Sequence, residues 1–92
     1  MKEKIKESLR SIIIDLYGSS ESIHDEFEIS IQDNKDKQYG DLASNVALVL
    51  AKPLKRNPKE IAEEIKDKFI TDNEIVKVDV AGPGFINFFL SK

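Results

Sequence analysis

The chain closes on two short segments of strand-like periodicity joined by Ala81-Gly82-Pro83-Gly84. In the first, Val76, Val78 and Val80 alternate with Lys77 and Asp79; the second runs over residues 85–90. Such alternation marks a half-buried strand, and a Gly/Pro connection this short suits a hairpin. An isolated hairpin is only marginally stable in water, so its apolar face must be covered by something else in the chain. The means are few. The 92 residues include no cysteine and one histidine, which excludes a disulfide scaffold, a cysteine-zinc site and a thiol nucleophile. The core alone must hold the fold, and 92 residues suffice for one core in one domain over 1–92, with little left for a deep catalytic cleft.

The covering elements read as helices. Over residues 2–17, Ile5, Leu9, Ile12, Ile13 and Leu16 form one apolar stripe at helical spacing, with Gly18 as the stop and Ser19–Ser22 as a turn. The stripe is core or, alternatively, a surface for a partner. A second helix is expected over 42–51, capped by Asp41 and stopped by Pro53, with Leu42, Val46, Val49 and Leu50 on one face and Ala43, Ala47 and Ala51 beside it. A third begins with Asn57 as cap, Pro58 in the first helical position and Glu60 behind it. It runs to about Phe69, with Ile61, Ala62, Ile65 and Phe69 inward. Residues 27–32 alternate strictly, placing Phe27, Ile29 and Ile31 on one face of a strand. Asp33 to Lys37 is a polar loop. The expected fold is α+β: helices on one face of a small antiparallel sheet of three to four strands.

The net charge of −3 does not suit a generic nucleic-acid binder, but the charge is unevenly spread. Residues 15–33 carry six acids and no Lys or Arg, whereas 52–59 carry Lys52, Lys55, Arg56 and Lys59 and no acid. A polyanion is expected at the second region and not at the first. No apolar run approaches a membrane span or a signal peptide, so the reading is cytoplasmic, with no membrane partner.

Catalytic candidates are poor. His24 lies in the acidic segment with no nucleophile beside it, and Asp25, Glu26 and Glu28 lack the ligand periodicity and glycine of a calcium loop. Glu60, Glu63, Glu64 and Asp67 occupy the polar side of a helix. Gly82-Pro83-Gly84 lacks the Gly-Lys-Ser/Thr ending of a phosphate loop. No catalytic, metal or cofactor residue is assigned.

The last strand is more informative. Alternation puts Ile86, Phe88 and Leu90 on one face and Phe85, Asn87 and Phe89 on the other. If the first face is core, the strand exposes an aromatic ring and an amide together. A ring to stack on and a donor–acceptor pair beside it suit an unstacked RNA base. The alternative is that Phe85 packs under the first helix and Asn87 caps a turn.

Three blocks in this order resemble the N-terminal additional domain of arginyl-tRNA synthetases: Tyr39-Gly40-Asp41-Leu42-Ala43-Ser44-Asn45-Val46-Ala47-Leu48, Lys55-Arg56-Asn57-Pro58-Lys59-Glu60-Ile61-Ala62, and Val80-Ala81-Gly82-Pro83-Gly84-Phe85-Ile86-Asn87-Phe88. The resemblance covers essentially the whole chain. It implies part of a monomeric enzyme that attaches arginine to its tRNA using ATP, with catalysis and anticodon reading in other domains. It also implies that this domain meets the outer corner of the tRNA and that Phe85 and Asn87 lie against a D-loop base. Lys55, Arg56 and Lys59, near the start of the third helix, are then phosphate contacts or, alternatively, a solvated loop. Asn45 contacts RNA or bridges backbone. The family's two catalytic signatures are absent, so the chain is expected to be a fragment that binds tRNA, lacks ATP chemistry of its own and acts with the remaining domains of its parent. The competing expectation is a protein-interaction domain that docks through its first helix or hairpin.

Overall fold

A computed structural model describes residues 1–18 and 29–91. The Ser19–Ser22 turn, His24, the acids around it, and Phe27 and Glu28 of the expected strand lie outside the described residues. The order of elements is α1 (Lys2–Tyr17), β1 (Ile31–Asp33), a 3₁₀ turn (Lys37–Tyr39), β2 (Leu42–Ser44), α2 (Val46–Leu54), α3 (Pro58–Lys68), β3 (Ile75–Ala81) and β4 (Phe85–Leu90). The four strands form one antiparallel sheet in the order β1-β2-β4-β3. The α+β expectation holds.

One hydrophobic cluster joins the helices to one face of the sheet. Ile5, Leu9 and Ile13 of α1, Val46 and Ala47 of α2, and Ile61, Ala62 and Ile65 of α3 are fully buried, as are Ile86 and Phe88 of β4. Phe88, on a central strand, meets Phe69 at a ring-centroid distance of 5.4 Å in a tilted arrangement. Ile12 and Leu16 of the α1 stripe pack at the margin of the cluster.

Five sequence expectations are corrected. Leu42–Ser44 is a strand, because these residues pair with Phe88, Asn87 and Ile86 of β4, and that pairing overrides their helical pattern. The helix consequently starts at Val46, whose N–H is accepted by the Ser44 hydroxyl at 3.2 Å. Asp41 does not cap it; its carboxylate accepts the Leu90 N–H at 2.8 Å, tying the start of β2 to β4. Pro53 lies inside the last turn of α2, which ends at Leu54 with Lys55 in the left-handed conformation. In β3 the alternation is interrupted by a register shift between Ile75 and Lys77. Ile75 and Val78 therefore face the core, and Val76 turns outward. Among the described residues β1 is Ile31–Asp33, so Asp33 belongs to the strand and not to the loop.

The start of α3 follows its sequence signal. Asn57 is extended, and its Oδ1 accepts the Lys59 N–H at 2.8 Å ahead of a helix that opens with Pro58.

Candidate nucleic-acid interface

The face of β4 turned away from the helices carries Phe85, Asn87 and Phe89, as alternation requires. Phe85 stands at the start of the strand and is 41% exposed. Asn87 is not exposed beside it: only 6% of its surface is accessible. The cause lies in three neighbours. Ala43 of β2 and Asp79 of β3 are its register partners on either side. Gly40 lies close above it, so close that a Cβ on Gly40 would stand 3.3 Å from the Asn87 Cβ and 3.1 Å from the Phe88 carbonyl oxygen. A left-handed φ of 110° and this approach both demand glycine at position 40. The Asn87 amide makes no hydrogen bond among the described residues and is not among the buried atoms left unpaired, so its polar end reaches solvent. Its body is packed, and its hydrogen-bonding capacity is unspent.

The hairpin tip rests on the start of α3. Gly84 is buried at φ 145°, and a Cβ there would lie 2.9–3.0 Å from the backbone and ring of Pro58. Phe85, the next residue, belongs to the opposite, outer face of the sheet. The fold thus brings the hairpin tip, which precedes Phe85, against the start of the helix that follows the basic segment. The Phe85 ring lies over Gly82, at ordinary contact distance from where a side chain there would begin.

The basic segment divides. Lys55 and Lys59 are exposed and make no ion pair among the described residues. Arg56 is committed elsewhere. Its guanidinium takes both carboxylate oxygens of Glu64, lies 3.7 Å from Glu60, and sits 5.9 Å from the centroid of the Tyr17 ring. The Tyr17 hydroxyl donates to the same Glu64 carboxylate at 2.8 Å. The Arg56 hydrogen bonds hold the Glu64 carboxyl below its usual range, while burial and then the bond to Glu64 push the Tyr17 hydroxyl well up. This cluster pins the α2–α3 connection to the end of α1 and withdraws Arg56 from the surface charge. Sequence reading missed it because residues 17, 56 and 64 share no local pattern.

The rest of the outer face is polar. Lys77 lies 4.9 Å from the centroid of the Phe89 ring, and Asp79 pairs with Lys77 at 3.4 Å and with Lys66 at 3.8 Å. Asn45, at the start of α2, keeps a buried Oδ1 without a partner among the described residues. Among these residues no group of His, Asp or Glu side chains is placed to hold a metal ion, and no helix is long and apolar enough to cross a membrane.

Comparison with known proteins gives the family. The family described as arginyl tRNA synthetase N terminal domain matches residues 1–90. The arginine–tRNA ligase of Shewanella woodyi is 46% identical over 92 residues, covering 98% of this chain and 16% of that protein. That of Thermotoga maritima is 45% identical over 87 residues, covering 95% and 15%. Among solved structures, the arginyl-tRNA synthetase of Thermus thermophilus superposes with a TM-score of 0.78 at 21% identity over 99% of this chain and 14% of the other, which shows a shared fold. The chain therefore spans about one-sixth of the length of the relatives it matches. It belongs to the arginyl-tRNA synthetase N-terminal domain family.

Proposed function

We propose that this chain is the tRNA-binding module of an arginine–tRNA ligase, and that it takes a base of the D-loop, at the outer corner of arginine tRNA, on the outer face of β4. The parent ligase joins arginine to the tRNA with ATP in a domain beyond these residues, as a monomer in the cytoplasm. The module contributes recognition and orientation of the acceptor end, with no bond chemistry of its own. One observation carries the reading: Phe85 presents an accessible ring on the same sheet face as the unspent amide of Asn87, while the neighbouring Gly84 packs on Pro58 at the helix start that bears Lys59. An aromatic face with an adjacent amide is the minimal receptor for an unstacked base, and nearby lysines add phosphate attraction. Lys55 and Lys59 are the phosphate contacts in this reading, and Arg56 acts by shaping the segment they flank.

A protein partner is the competing occupant. The other exposed large apolar side chains, among them Ile14, Val49, Ile70 and Val76, come from four different segments.

The test is Phe85→Ala, with fluorescence anisotropy on an arginine tRNA transcript. Loss of one stacking platform should weaken binding by about 1–3 kcal/mol, roughly 5- to 150-fold. The melting temperature should move little, because the ring is 41% exposed. Unchanged affinity for the transcript, with a D-loop variant bound equally well, would refute the assignment.

A further inference from the structure

A groove lies on the helical side of the domain, away from the sheet face that carries Phe85. Glu7, Ser8, Ser11 and Ile12 of α1 form one wall, and Lys68 and Ile70, at and just beyond the end of α3, form the other; the space between them is about 360 Å³. Ile12 packs on the margin of the core beneath it. Ile70 is the most exposed large apolar side chain among the described residues, at 85%. One exposed isoleucine is ordinary on any surface. This one differs in how firmly its backbone is held. Before it, Phe69 is buried against Phe88. After it, the Asp72 carboxylate accepts the N–H groups of Glu74 and Ile75, and the Asp72 N–H donates to the Ile75 carbonyl at 2.9 Å. Lys4 ties α1 to the same turn, through Asp72 at 2.8 Å and Glu74 at 2.7 Å. Both walls are therefore fixed in advance, and a preformed surface costs little ordering when it binds.

The identity of the occupant follows from where β4 ends. The Ser91 N–H donates to the Glu74 carbonyl at 2.8 Å, on the turn that borders the groove. Glu74 is four residues from Ile70, a separation of no more than about 15 Å along the backbone. The matching family is an N-terminal domain, and this chain spans about one-sixth of the length of its relatives. In a parent of that length, the polypeptide beyond Ser91 sets out from beside the groove. A free partner needs about 1,000 Å² of buried surface for a specific complex, which one isoleucine beside a groove of this size cannot supply. The same shortfall excludes a second copy of the chain. A short tether changes the arithmetic: it holds the following segment at an effective concentration in the millimolar range, where a small apolar contact suffices.

We propose that this groove seats the domain on the rest of its parent ligase, with Ile70 as the apolar anchor, Ile12 as the floor, and Glu7 and Lys68 at the polar rim. The occupant is an apolar segment of the same polypeptide that follows residue 92. This rests on the chain being part of a longer arginine–tRNA ligase and is independent of where RNA binds. The groove and the outer face of β4 lie on opposite sides of the sheet, so both can be filled at once.

The test uses the full-length ligase that contains these residues. A photoreactive benzoylphenylalanine is placed at position 70 and, as a control on another exposed apolar position, at 49. After irradiation we expect position 70 to be joined, within one molecule, to a peptide from beyond residue 92, and position 49 not to be. In a second arm, Ile70→Asp should speed limited proteolysis just after residue 92 by about tenfold or more, as loss of one buried isoleucine predicts. Its melting temperature as an isolated substitution in the domain should hold, since the side chain touches little of the core. Cross-links from position 70 confined to residues 1–92, a product with the mass of two chains, or cleavage of Ile70→Asp at the parent rate would each overturn the docking. Phe85→Ala, carried through both arms, should behave like the parent, so failure of the RNA reading and failure of the docking are read separately.

Discussion

Gly84→Ala puts the junction of hairpin and helix to a quantitative test. Two costs are legible in the geometry. Gly84 sits at φ 145°, a conformation that residues with a Cβ rarely adopt, and such strain costs about 1–3 kcal/mol. A Cβ there would also stand 2.9 Å from the Pro58 carbonyl carbon and 3.0 Å from its Cβ and oxygen. These atoms belong to backbone and a ring and cannot swing aside, so the tip must lift from α3, an overpacking cost of about 1–3 kcal/mol. Allowing that lifting relieves part of the strain, the total should be about 2–4 kcal/mol. For a domain of this size the melting temperature should then fall by roughly 10–30 °C. Gly82→Ala is the internal control. Its φ of 57° is left-handed, and its nearest neighbour, Phe85 Cδ2, would be 3.5 Å away, an ordinary contact. Only the left-handed cost of about 1–2 kcal/mol remains. Urea and thermal unfolding of both variants measure the difference. Gly84→Ala within about 0.5 kcal/mol of the parent, below the range either cost predicts, or a larger loss for Gly82→Ala, would refute the seating of the tip on Pro58.

Salt and pH give two further tests. Lys55→Ala and Lys59→Ala should each make the plot of log affinity against log salt shallower by about 0.7–0.9 if each neutralises one phosphate, whereas Arg56→Ala should lower the melting temperature and leave that slope nearly unchanged. An Arg56 effect on the slope as large as that of either lysine would contradict its sequestration by Glu64. Asp72 accepts the backbone N–H groups of Ile75 and Glu74 and pairs with Lys4 at 2.8 Å; the Ile75 bond foremost lowers its carboxyl from the ordinary 3.8 to about 2. A carboxyl depressed by folding stabilises above its unfolded pKa and loses that contribution as pH falls through the folded one, so melting temperatures should drop between about pH 4 and 2. Asp72→Asn should flatten that drop, and an unaltered acid limb would refute the turn as its source.

The elements legible in the sequence are those whose determinants are local. The α1 stripe, the Asn57-Pro58 start of α3 and the 85–90 strand each carry their own period or cap, and each forms where expected. Leu42–Ser44 was illegible for the opposite reason. Three residues cannot hold a strand by themselves, and these become one only because β4 offers its edge to them. Beside three alanines the same residues read as a helix, and Asp41 as its cap. The displaced Val76 is a similar case: alternation is a statement about one strand, and a register shift is made by two.

The same division runs through the candidate interface, and it changes what should drive binding. Phe85 was legible because its exposure follows from strand parity. The burial of Asn87 was not, since it depends on Gly40 and on flanking strands β2 and β3. Nor was the fate of Arg56. Counted along the sequence, 52–59 offers four positive charges. In the fold one of them faces two glutamates of α3, so the segment offers less free positive charge than the count suggests. The chain as a whole is negative, which weakens long-range attraction further. In the proposed reading affinity leans on stacking and on amide contacts, which are short-ranged and little screened, more than on counterion release. If the proposed function holds, such a module discriminates among tRNAs through shape and base edges while adding little non-specific affinity, and its binding should decline only gently as salt rises.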